Sequence, residues 1–150
     1  MWTLLSMIPL SPLVVSDFRR REVDVGWLLC FGVVVAAVSV IESSFGTVWR
    51  NVVGGLALYS MMGAFLLLYS KVRKMTIASM LGSGDVLFCL FITPFFGVRE
   101  LVLFLVISFS LTLFVWIVFK CLHGGSKEIP LVGGAGLCLA IYLIFKTLFR

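Results

Sequence analysis

Apolar residues run along this chain in long blocks, without the strict alternation of a half-buried strand. Six blocks stand out, at residues 2–15, 26–41, 52–69, 80–96, 101–119 and 130–145, separated by short polar intervals. About 20 apolar residues cross a hydrocarbon core of about 30 Å. Lipid offers the backbone no hydrogen bonds, so each crossing is a helix or a strand of a closed barrel, and continuous apolarity selects helices. The pattern predicts an all-α polytopic membrane protein with about six transmembrane helices. The short intervals leave room for one bundle over residues 1–150 and no separate soluble domain.

Composition agrees. Of the 150 residues 61% are hydrophobic and 13% are charged, with a mean hydropathy of +1.18, whereas a soluble domain carries about a quarter charged residues. The first block lacks the basic leading region of a cleavable signal, because no Lys or Arg precedes Arg19. It reads as a retained helix with its N-terminus outside. The inner side then receives Arg19, Arg20, Arg21, Lys71, Arg73, Lys74, Lys120 and Lys127, and the outer side Arg50, Arg99, Lys146 and Arg150. That asymmetry fits the positive-inside bias of a cytoplasmic (inner) membrane protein. It explains the net charge of +5 without a nucleic-acid partner. Cys30, Cys89, Cys121 and Cys138 stand apart, and His123 is the one histidine. This spacing suggests no metal site, and the cysteines read as small apolar packing residues.

The acids carry more information. Glu22 and Asp24 follow the arginine run, Glu42 and Glu100 sit at outer block ends, and Glu128 lies in HGGSKE; these read as solvated charges. Asp85 is different. It stands in LGSGDVLFCL, behind Gly82 and Gly84, with no Lys or Arg within ten residues. A charge inside a span costs at least about 2.5–3.5 kcal/mol on insertion scales, and such residues face a bundle interior or a wet cavity. The competing reading is a helix cap, with Asp85 accepting from the N–H of Leu87 or Phe88. Glycines allow close backbone approach, so an extended segment there would offer an edge for a substrate peptide.

Asp17 closes the first block in SPLVVSDFRRR. Residues 2–15 make about 21 Å of helix, short for a full crossing, which draws Asp17 toward the inside of the membrane boundary. Alternatively, it is a boundary acid balanced by the arginines. On the predicted topology Asp17 and Asp85 share one depth, at the inner ends of their helices. Two carboxylates held together share a proton and titrate as a pair. One then deprotonates a water while the other, protonated, polarises a peptide carbonyl, with no metal or cofactor.

The pair D-x-R-x-R-E-V, from Asp17, and G-x-G-D, from Gly82 to Asp85, resembles the motifs of type IV prepilin peptidases. These belong to the G-x-G-D class of intramembrane aspartyl proteases, with the preflagellin peptidases and, more distantly, presenilin. The resemblance covers nearly the whole chain. It implies six helices with both aspartates near the cytoplasmic face, Asp17 and Asp85 as catalytic residues, and Gly82 and Gly84 as the glycines of the motif. It also implies a substrate: a prepilin-like precursor with a basic leader and a hydrophobic N-terminal helix. Ile129, Pro130 and Leu131 resemble the Ile-Pro-Phe that opens the family's last helix. Two stretches depart from the family pattern. Val23, Asp24 and Val25 stand where the family often has Ile-Pro-(Asn/Asp), and Leu87 stands where it often has Lys. The methyltransferase domain of many bacterial members has no counterpart in these residues. Two rival readings make both acids mere caps in an assembly or scaffold subunit, or make Asp85 the proton-coupling group of a small transporter.

Overall fold

In the computed structural model, which describes residues 2–20, 23–73, 82–123 and 131–148, the first apolar block folds as a 3-10 turn, Trp2–Ser6, running into helix α1, Met7–Arg20. Pro12 lies inside α1 and has no N–H to give to the carbonyl of Ile8. The hydroxyl of Ser11 donates to that carbonyl instead, at 3.0 Å. Helix α2 spans Val25–Glu42, and Asp24 caps it by accepting from the N–H of Gly26 at 2.9 Å. Asp24, read from sequence as a solvated charge, thus has a structural task.

Helix α3, Phe45–Arg73, has 29 residues. It starts well before the apolar block because Ser44 opens it, its carbonyl accepting from the N–H groups of Thr47 and Val48. The next helix, α4, is short, Ser83–Ile92, and ends in a 3-10 turn, Thr93–Phe95, at Pro94. Helices α5, Val98–His123, and α6, Leu131–Leu148, complete the bundle. Among the described residues there are thus six α-helices, and four of them, α2, α3, α5 and α6, are long and apolar enough to cross a bilayer.

Helix α1 lies between α2 and α6, α4 packs on α2 and α6, and α5 packs on α6. Helix α3 joins mainly through the Thr93–Phe95 turn and α5. Leu10, Leu13, Phe31, Phe88, Ile92, Phe96 and Leu139 fill the centre, each 2% exposed or less. The Phe31 and Phe88 rings stack there at 5.6 Å. Phe65, Val72, Ile107 and Phe114 stay exposed, as expected of side chains that meet lipid rather than water.

Candidate active site

Asp17 sits one turn before the end of α1 and is only 6% exposed. Its carboxylate accepts a 2.5 Å hydrogen bond from the backbone N–H of Gly133, the third residue of α6. The first four N–H groups of a helix have no partner within it, and they carry the positive end of its dipole. An acid from α1 therefore caps α6. The contact is close: a Cβ on Gly133 would lie 2.9 and 3.0 Å from ring carbons of Phe18 and 3.1 Å from Asp17 Oδ2. One turn along α6, a Cβ on Gly136 would lie 2.6 Å from Val14. Small residues let the two helices approach this near.

Asp85 is the third residue of α4 and half-buried. Its carboxylate accepts a backbone hydrogen bond from Gly82 and lies within electrostatic range of Asp17. The bond runs back to Gly82, the residue that caps α4, in the manner of a capping box, rather than forward to Leu87 or Phe88. Gly82 itself is extended (φ −69°, ψ 138°) and exposed. A Cβ on Gly84 would lie 2.8 Å from Val23. This glycine thus seats the first turn of α4 against Val23, just ahead of α2.

Along α3, the side-chain amide of Asn51 donates to Pro94 O at 3.4 Å, Gly55 abuts Thr93, and the Tyr59 hydroxyl donates to Cys89 O at 2.8 Å. On the other side Gly134 abuts Thr112 of α5, so Asp17 and Gly133 stand near the level of Thr112. Beyond Tyr59 helix α3 runs fourteen further residues to Arg73, and beyond Thr112 helix α5 runs eleven to His123, about 21 and 16 Å. The next seven residues of α5, 113–119, are uncharged and mostly apolar, and Lys120 is the first charge after them. Each carboxylate lies at one end of its own short helix, on helices that both pack against α2 and α6.

The structure thus brings Asp17, Gly82, Gly84 and Asp85 to one end of the short helices. Glu42 closes α2, and Glu100 opens α5 at the far end of α4 from Asp85. Arg21, Glu22, Lys74, Lys127, Glu128, Ile129 and Pro130 lie outside the described residues. Sequence reasoning did not single out Gly133. The signal for it is the Gly-Gly pair just behind Ile-Pro-Leu in the last block.

The fold is a helical membrane bundle that brings two carboxylates within electrostatic range of each other. Residues 4–117, which include both aspartates, match the type IV leader peptidase family, and the chain belongs to that family of peptidases. No curated protein and no solved structure matches the chain.

Proposed function

We propose that this peptidase is of the aspartic type and removes the basic leader of type IV prepilin-like precursors, with Asp17 and Asp85 as its dyad. One carboxylate takes a proton from a water whose oxygen attacks the scissile carbonyl carbon. The protonated partner donates a hydrogen bond to the carbonyl oxygen as it gains charge. Collapse of the tetrahedral intermediate breaks the C–N bond and passes a proton to the leaving amine. Gly82, extended and exposed ahead of Asp85, offers its backbone to the precursor, and Gly84 lets the α4 terminus sit close to Asp17. The cut falls at the cytoplasmic boundary of the inner membrane, with the N-terminus of the enzyme outside and the precursor's hydrophobic helix entering the bilayer beside the two aspartates.

The observation that carries this reading is the electrostatic proximity of Asp17 and Asp85, within a segment that matches a peptidase family. The test is leader cleavage in membranes that hold a matched precursor and either Asp17→Asn or Asp85→Asn. Asn caps helices about as well as Asp, so each variant keeps the capping role and loses only the acid. Loss of cleavage with normal insertion supports the dyad. Full processing by either variant assigns that acid to helix capping alone.

A further inference from the structure

A groove of about 420 Å³ lies between α5 and α6, away from the aspartates. It runs along α5 from Glu100 past Phe104 to Leu111, against Ile141 and Tyr142 of α6. Eleven residues of helix make about 16 Å, close to half of a hydrocarbon core of about 30 Å. The groove is therefore long enough to span one leaflet. Away from one mouth its lining is apolar but for Cys138 and Ser108, whose hydroxyl is already donated to Leu105 O. At that mouth Glu100 is exposed, Tyr142 stands within electrostatic range of it, and the Lys146 ammonium lies 5.7 Å from the Tyr142 ring centroid. An anion and a cation thus flank the mouth of a largely apolar channel one leaflet long.

We propose that this groove binds one zwitterionic phospholipid of the phosphatidylethanolamine class, with an acyl chain along α5, the amine on Glu100 and the phosphate toward Lys146. Apolar depth holds the chain, and the opposed charges at the mouth choose the headgroup. A precursor helix does not fit the same place. No residue of α1 or α4 lines the groove. At 3.6 residues per turn, the groove face of α6 lies opposite the face that Gly133 and Gly136 press onto α1. A helix seated there is turned away from Asp17. Nothing in this assignment depends on the catalytic reading of the aspartates.

Native mass spectrometry of the full chain, purified from bilayers of equal phosphatidylethanolamine and phosphatidylglycerol, tests it. One phosphatidylethanolamine is expected to remain per chain. Ile107→Trp fills the groove and is expected to lower retention at least tenfold, while Val106→Trp, equally exposed on α5 but outside the groove, leaves it unchanged. Glu100→Gln is expected to reduce the preference for the amine headgroup on the order of tenfold, the weight of one charge-assisted contact. Helix content by circular dichroism confirms that each variant folds. Retention indifferent to Ile107→Trp and Glu100→Gln, or equal losses from both Trp variants, overturns the assignment. So does stoichiometric displacement of the lipid by a hydrophobic helical peptide with a basic leader.

Discussion

The carboxylate of Asp17, near the end of α1, accepts the backbone N–H of Gly133 at the start of α6. Two helices far apart in sequence are thereby fixed to each other at the point where the proposed chemistry occurs. Any side chain at Gly133 meets the Phe18 ring and Asp17 itself. Gly133→Ala is expected to push Asp17 aside and to lower kcat roughly 10- to 100-fold, since misplacement of a catalytic group by about 1 Å costs that much. Overpacking costs about 1–3 kcal/mol of stability. Gly46→Ala is the control, because a Cβ there meets nothing within 4 Å, and it should leave turnover unchanged. Single-turnover cleavage of a precursor separates the two variants. Equal activity would detach Gly133 from the site.

Asp17→Asn and Asp85→Asn each remove one half of the proposed acid–base pair. In the proposed mechanism the two carboxylates act as a unit, so each single change is expected to reduce cleavage by about 10³-fold or more. Thermal stability should change by no more than about 1 kcal/mol, because Asn keeps a capping oxygen. Cleavage and melting measured on the same preparations distinguish chemistry from folding.

The six apolar blocks were legible because lipid contact selects side chains residue by residue, and the six helices follow them. Helix ends were less legible. Arg50 and Asn51 interrupt the apolar run but not α3, since a helix continues wherever its backbone bonds continue. The block at 80–96 promised a full span, yet Pro94 and the turn around it shorten α4. Asp17 and Asp85 were visible as acids out of place, and the family match spans both. Their approach to each other was not visible, because it depends on how α1 and α4 pack against α2 and α6. Nor was the bond to Gly133: the Gly-Gly pair marks a place of close approach, but not which acceptor, 116 residues away, the N–H meets.

Gly84 and Val23 form a second close contact that bears on the site. A Cβ at Gly84 would approach the branched Cβ and Cγ of Val23 at 2.8 Å, atoms too near the backbone to swing away. Gly84→Ala is expected to cost about 1–3 kcal/mol and to depress cleavage, because α4 carries Asp85 with it as it shifts. Val23→Gly removes the obstruction. In a double-mutant cycle the pair should therefore be less damaging than the sum of the single changes, by more than the roughly 0.5 kcal/mol within which independent sites add. Strict additivity would mean that the two positions do not touch.

The hydroxyl of Tyr59 ties α3 to the carbonyl of Cys89, one turn from Asp85. The same carbonyl also receives the Thr93 hydroxyl at 3.2 Å. Tyr59→Phe therefore leaves no orphaned acceptor, and its cost should be near the average of about 0.6 kcal/mol for an interhelical hydrogen bond in a membrane. Tyr59→Phe combined with Thr93→Val strips both hydroxyls from the Cys89 carbonyl in a water-poor setting, where an unmet acceptor costs about 1–3 kcal/mol. The double variant is expected to lose more stability than the two single variants together, read by reversible unfolding in mixed micelles. A purely additive loss would place the anchoring of α3 elsewhere, at Asn51 and the close contact of Gly55 with Thr93.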